Sequence, residues 1–316
     1  MAASFAAAPA WAADRFAEIE ASVGGRLGVF AFDRAPPAFV PGFSRHAARP
    51  ERPWRTISHR ANERFPMCST FKAMAVAAAL KRVDAGELSL DQVVHYGSQD
   101  LLPYAPVTSK HVADGGMALG DLCAAAVELS DNTAANLILK QIGGPVGWSA
   151  FVRTLADSES RLDRNEPDLN TSVPGDPRDT TTPMGMALDL AVVLLGQSPF
   201  DYGFYGWLQS RDITPLSWMQ TPLSPKSRDA LAGWMVACHT GQSRLRAGLP
   251  ATWRIGDKTG TGDLGTANDI AVAWTAAVPI VIACYLTGAE AASSYARDGA
   301  IADVGRLVAE TFRPHG

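Results

Sequence analysis

The 316-residue chain places none of its four cysteines and six histidines at metal-ligand spacing. Cys68, Cys123, Cys238 and Cys284 form no C-x-x-C pair, and no H-x-H or H-E-x-x-H occurs, which argues against a zinc site. Three of the cysteines lie in Ala-, Val- and Leu-rich stretches, where a free thiol behaves as a small hydrophobe. No Lys/Arg run stands out and the net charge is only −4, so nothing points to nucleic acid or a membrane surface. No apolar run reaches the roughly 18–20 residues that span a bilayer. With 47% hydrophobic and 19% charged residues, the chain reads as globular, with one or two domains and a large core.

The first residues are small, mostly apolar and uncharged, and Ala10-Trp11-Ala12 fits an A-x-A cleavage pattern. Residues 1–13 therefore read as the tail of a secretory signal, with the folded protein beginning near Asp14 and a periplasmic or secreted location. Residues 14–23 have helical character, and Arg26–Asp33 reads as a strand after the Gly24-Gly25 break. A long Pro-rich loop is expected over 34–53, then a strand over 54–59. Helices are expected over 71–85, 121–129, 132–142, 145–155, 184–195 and 227–237, with an irregular segment over 161–182. Beyond Gly241 the period changes to strands over 252–261, 269–274 and 279–287, closed by an amphipathic helix over 295–312. Strands at both ends with helices between them predict an α/β (α+β) architecture. Residues 14–66 and 242–316 would form an antiparallel sheet with flanking helices, and 67–241 an inserted all-helical domain. A cleft between such domains is a natural site.

Four short motifs carry chemistry. Ser69-Thr70-Phe71-Lys72 falls near a helix N-terminus, so Ser69 and Lys72 share a face, and free backbone N–H groups there favour a developing anion. Ser130-Asp131-Asn132 lies between two helices, where Asp and Asn are also ordinary caps. Lys258-Thr259-Gly260 sits within a strand, and a strand glycine often marks close approach of another backbone or a ligand. Glu166-Pro167-Asp168-Leu169-Asn170 puts a carboxylate and an amide four residues apart in the irregular segment, able to hold one water between them, and Pro167 permits a cis bond. Each alone has a dull explanation: a capping serine, a polar loop, an edge lysine beside a bulge.

Together, in this order and spacing, S-x-x-K, S-D-N, K-T-G and the Glu-bearing loop resemble the class A serine β-lactamases, over most of the chain from the 25–33 strand to the C-terminal helix. The resemblance implies a five-stranded sheet beside a helical domain, a monomer, no cofactor and a small-molecule β-lactam substrate. It implies that Ser69 is the nucleophile, that Lys72 or Glu166 takes its proton, and that Ser130 relays a proton to the departing nitrogen. The backbone N–H groups of Ser69 and Thr261 would hold the oxyanion, and Glu166 with Asn170 the hydrolytic water. Asn132 would bind the acyl side-chain amide. Lys258, Thr259, Gly260, Thr261 and Arg244 would line the carboxylate subsite, and Tyr104 the rim. Arg164 and Asp179 resemble the pair that pins the Glu166 loop.

Cys68 directly precedes the nucleophile, but Cys238 lies on the helix before Thr240-Gly241, so no disulfide between them is expected. Residues 34–53 and 198–222 are longer than the family pattern. The second carries six aromatics, expected to pack back on the helical domain, with a self-association surface or a flap near the cleft as the other readings. The rival functions are a D,D-peptidase or penicillin-binding protein, against which Glu166 and Asn170 argue, and a β-lactam sensor that acylates once.

Overall fold

The computed structural model describes residues 10–33, 55–196 and 222–313. The insertions expected at 34–53 and 198–222 lie outside these residues, apart from Pro222. Helix α1 (Ala10–Val23) starts four residues before Asp14, and Ala12 is already buried. Strands β1 (Arg26–Asp33) and β2 (Thr56–His59) follow, then a short β3 (Phe65–Pro66), a 3-10 turn at Cys68–Thr70 and helix α2 (Phe71–Asp84). Two short strands not expected from the sequence, β4 (Val93–His95) and β5 (Gly116–Ala118), pair ahead of α3 (Leu119–Glu128), α4 (Asn132–Ile142) and α5 (Gly144–Arg153). The irregular segment contains only a 3-10 turn at Asp168–Asn170 and β6 (Thr180–Thr181), and is followed by α6 (Pro183–Leu195). Helices α7 (Pro225–Val236) and α8 (Leu245–Gly248) lead into β7 (Arg254–Thr261), β8 (Ala267–Trp274), β9 (Ile280–Thr287) and the closing α9 (Ser294–Phe312).

The expected five-stranded antiparallel sheet forms, in the order β2-β1-β9-β8-β7. Alternation along its strands supplies two cores. Leu27, Val29, Ala31, Ile282, Cys284 and Leu286 pack on one face with Phe16 of α1 and Val304, Leu307 and Val308 of α9. Phe30, Phe32, Val281, Ala283 and Tyr285 face the helical body, where they share a core with α2, α4 and α6. The central β9 is buried along nearly its whole length because helices cover both its faces.

Local capping fixes the helix ends that matter for the site. Asp131 accepts from the Ala134 N–H at 2.9 Å and starts α4, and Gly143 stops it with φ of 92°, a left-handed conformation that glycine adopts without steric cost. Thr182, followed by Pro183, caps α6 through the Gly185 N–H. Edge strand β7 packs against α7 and the 3-10 turn at Cys68–Thr70, and side-chain bonds from β7 and α2 to Ser130 bring the start of α2, the α3–α4 junction and β7 together beside the 161–182 segment.

Candidate active site

Ser69 sits in the 3-10 turn that runs directly into α2, and Cys68 before it has φ of +46°. That left-handed conformation in a non-glycine costs about 1–3 kcal/mol and persists only where the surroundings over-determine it. They do so here. The Met67 N–H donates to Asp179 O at 2.9 Å, the Met67 carbonyl accepts from Thr70 Oγ1 at 2.8 Å, and Thr70 Oγ1 lies 3.2 Å from the Tyr285 hydroxyl.

The Ser69 hydroxyl donates to Glu166 Oε1 at 3.1 Å. Lys72 Nζ lies 3.0 Å from the same oxygen, so serine and lysine meet through the carboxylate. Lys72 also donates to Ser130 O at 2.8 Å, to Asn132 Oδ1 at 2.6 Å and to Ser130 Oγ at 3.3 Å. Burial lowers its pKa, and the Glu166 charge acts in the opposite direction. Ser130, also left-handed with φ of 58°, receives a second donor in Lys258 Nζ at 2.9 Å. Burial, followed by the nearby Lys72 cation, brings the Lys258 pKa down to about 7.

Glu166 is placed by its backbone as much as by its side chain. Its N–H donates to Asn136 Oδ1 at 3.0 Å and its carbonyl accepts from Asn136 Nδ2 at 2.9 Å, while Asn170 Nδ2 donates to Oε2 at 2.6 Å. The Glu166-Pro167 bond is cis. Across the neck of the loop, Asp179 accepts from Arg164 Nε at 2.6 Å and from the N–H groups of Asp163 and Arg164 at 2.7 and 2.9 Å. The two threonine hydroxyls of Thr240 and Thr259 lie 2.6 Å apart.

On β7, a Cβ at Gly260 would lie 2.7 Å from the Met67 carbonyl oxygen, so the strand glycine marks the close backbone approach predicted for it. Arg244 is nearly buried. Its Nε donates to Asp298 at 2.8 Å, its Nη1 to the carbonyls of Gly260 (2.8 Å) and Asn268 (2.7 Å), and its Nη2 to Thr261 Oγ1 at 2.8 Å. Of five guanidinium N–H groups, this leaves one on Nη2 without a partner among the described residues. Tyr104 is half-exposed, and its carbonyl accepts from the Asn132 N–H at 3.0 Å. The twelve residues chosen from the sequence are thus brought together by a chain of contacts, with Tyr104 joined to it only through its carbonyl. Asn136 escaped that reading, although it lies one turn after Asn132 on the same helix face; so did Thr240 and Asn268.

All four cysteines are free and buried. The Cys68 thiol lies 3.8 Å from Ser172 Oγ, and burial pushes its pKa up to about 12; Cys238 pairs instead with Thr240 Oγ1 at 3.3 Å.

The β-lactamase family model matches residues 37–306. The chain belongs to the class A β-lactamases. It is 44% identical to β-lactamase AST-1 of Nocardia asteroides over 87% of this chain and 76% of that protein. It is 40% identical to β-lactamase CTX-M-8 of Citrobacter amalonaticus, over 94% of this chain and 88% of that one. The solved structure of the last common ancestor of Gram-negative bacteria (GNCA4) β-lactamase class A superimposes with a TM-score of 0.81. It is 47% identical and covers 96% of this chain and all (100%) of that one.

Proposed function

We propose that this class A β-lactamase opens the β-lactam ring through an acyl-enzyme on Ser69 and clears it with a water activated by Glu166. The observation that carries the reading is Glu166 Oε1, which accepts from both Ser69 Oγ (3.1 Å) and Lys72 Nζ (3.0 Å) while Asn170 holds Oε2. Lys72 has three short acceptor contacts besides its longer one to Ser130 Oγ, which suits an ammonium with three protons to donate. Glu166 is then the base already in contact with the nucleophile.

Ser69 Oγ attacks the lactam carbonyl carbon and its proton passes to Glu166. The backbone N–H groups of Ser69 and Thr261 stabilise the oxyanion; Thr261 lies on an edge strand, which presents N–H groups unclaimed by a neighbouring strand. As the tetrahedral centre collapses, the C–N bond breaks and Ser130 Oγ gives its proton to the nitrogen. Lys72 replaces that proton and in turn takes the one on Glu166, so the carboxylate is restored. A water then attacks the ester, giving its proton to Glu166, which returns it to Ser69 Oγ as the acid product leaves. Lys258, Thr259, Thr261 and the remaining Nη2 N–H of Arg244 hold the substrate carboxylate. Asn132 holds the acyl amide and Tyr104 borders the entrance. We place this activity in an exported monomer, in line with the apolar N-terminal segment; no helix among the described residues is long and apolar enough to cross a membrane.

Incubation with a chromogenic cephalosporin, followed by absorbance and intact mass, tests this. Sustained turnover is expected. In Glu166→Ala the Lys72 amine, its pKa lowered by burial and freed of the carboxylate that raises it, takes the Ser69 proton more slowly. A covalent adduct then accumulates on Ser69 because the hydrolytic water has no base. A single stable adduct on the wild-type protein refutes hydrolysis, and unchanged turnover by Glu166→Ala refutes the base.

A further inference from the structure

Across the face of the sheet that meets the nucleophile turn, Gly260 of β7, Asn268 of β8 and Tyr285 of β9 stand in register as a row. Directly opposed residues of antiparallel strands point to the same face. Gly260 brings bare backbone against the Met67 carbonyl, and the Tyr285 hydroxyl reaches Thr70 Oγ1 at 3.2 Å. Between them Asn268, fully buried, donates from Nδ2 to Pro66 O at 2.8 Å and to Met67 O at 3.1 Å. Its Oδ1 accepts from the Leu286 N–H at 3.3 Å, which fixes which way the amide faces. Its own carbonyl accepts from Arg244 Nη1, which also donates to Gly260 O.

We infer that Asn268 is a positioning residue that docks the nucleophile turn onto strand β7 and so sets the spacing of the two oxyanion donors. This rests on the acyl-enzyme reading above. The Ser69 N–H belongs to a turn whose preceding residue, Cys68, is held left-handed, and the Thr261 N–H belongs to β7 one residue past Gly260. Asn268 touches neither, but it is the side chain that binds the two carbonyls leading into that turn from the strand paired with β7. The Nδ2 protons match those two carbonyls, and a carboxylate of the same shape would face both oxygens with no donor. The amide is therefore required, beyond its volume.

The test uses Asn268→Ala and the isosteric Asn268→Asp, with three readouts: single-turnover acylation by the chromogenic cephalosporin, inhibition by a boronic acid that forms a tetrahedral adduct on Ser69, and thermal melting. Acylation is expected to slow by about 10–100-fold, and the boronate Ki to rise by a similar factor, the scale of a misplaced oxyanion donor. Asn268→Asp is expected to lose at least as much as Asn268→Ala although it keeps an acceptor for the Leu286 N–H. A purely structural role lowers the melting temperature and leaves acylation and Ki of the folded variant at wild-type values; that result overturns the assignment. Should Asn268→Ala not fold, Asn268→Ser, with one donor, is expected to give an intermediate loss, and wild-type Ki there overturns it equally. Absence of turnover by the wild-type protein refutes the hydrolase reading, whereas wild-type turnover with unchanged Ki in the variants refutes the role of Asn268 alone.

Discussion

Replacing Asn136 by alanine isolates the backbone anchoring of Glu166, the proposed general base. The side chain makes two hydrogen bonds to one residue, accepting from the Glu166 N–H and donating to the Glu166 carbonyl. Each contributes about 1 kcal/mol net, and a backbone group left buried without a partner costs about 1–3 kcal/mol. Alanine therefore removes about 2–5 kcal/mol, less where water enters from the cleft. At roughly 2 °C per kcal/mol for a chain of this size, the melting temperature falls by about 4–10 °C. The kinetic effect is separate. With its backbone released, Glu166 is held mainly by the Asn170 and Lys72 contacts, and a displacement of the order of 1 Å can cost about 100-fold in rate. Mixing the variant with a cephalosporin and quenching at intervals for intact mass gives the fraction of protein acylated at steady state. Wild type stays mostly free, whereas Asn136→Ala is expected to be mostly acylated, because Lys72 can stand in as base for acylation while the hydrolytic water depends on Glu166. Asn136→Asp keeps the acceptor for the Glu166 N–H and loses the donor to its carbonyl, so it should fall between. A variant that melts several degrees lower yet shows no acyl-enzyme would refute the claim that Asn136 sets the position of Glu166 for deacylation.

Other consequences can be measured independently. Lys258, brought down to about 7, is a cation below that pH and neutral above it, so in the free enzyme capture of a carboxylated substrate weakens as pH rises through about 7. KM should rise on the alkaline side before kcat falls, because a bound carboxylate raises the lysine's pKa; a KM constant from pH 6 to 9 would exclude this. The same depression makes folding less favourable as pH falls from the ordinary lysine value of 10.5 to about 7, with no further change below. Cys68, fully buried and raised to about 12, has a thiolate fraction of about one in ten thousand at pH 8 and should resist iodoacetamide until the protein is unfolded. Rapid labelling of the native protein would contradict its assignment as inert packing. Asp189 on α6 is buried beside Asp157, and burial first, then that neighbouring carboxylate, raise its pKa well above the ordinary 3.8. The fold therefore holds this proton more tightly than the unfolded chain does, so stability is lost as pH rises above the ordinary carboxyl value of 3.8 towards the raised one. Asp189→Asn removes that slope, and its gain in melting temperature over wild type should be larger at pH 8 than at pH 5; an equal gain would disprove it.

What could be read from the residues, and what could not, divides along the range of the interactions. The strands announce themselves locally: β1 and β9 alternate between two cores, and the change of period after Gly241 locates β7 to β9 to within two residues. The capped helices are legible for the same reason, since Asp131 or Ser224 satisfies N–H groups three residues away. The side chains proposed as catalytic stood out because their chemistry is unusual at that spacing, as with Ser69 and Lys72 or Glu166 and Asn170. Asn136, Thr240 and Asn268 were not, because an asparagine or threonine inside a helix, loop or strand has no distinctive local pattern. Their partners lie 30, 19 and more than 200 residues away. Local pattern likewise placed Ser69 beside Lys72, whereas in the fold both contact Glu166 Oε1, about 97 residues along the chain from the serine. A reactive group can thus be recognised from its neighbours in sequence, but the groups that aim it become visible only when the sheet and the helical body close around it. That is why the residues most worth testing next, Asn136 and Asn268, are amides that bind backbone and have no place in the motifs.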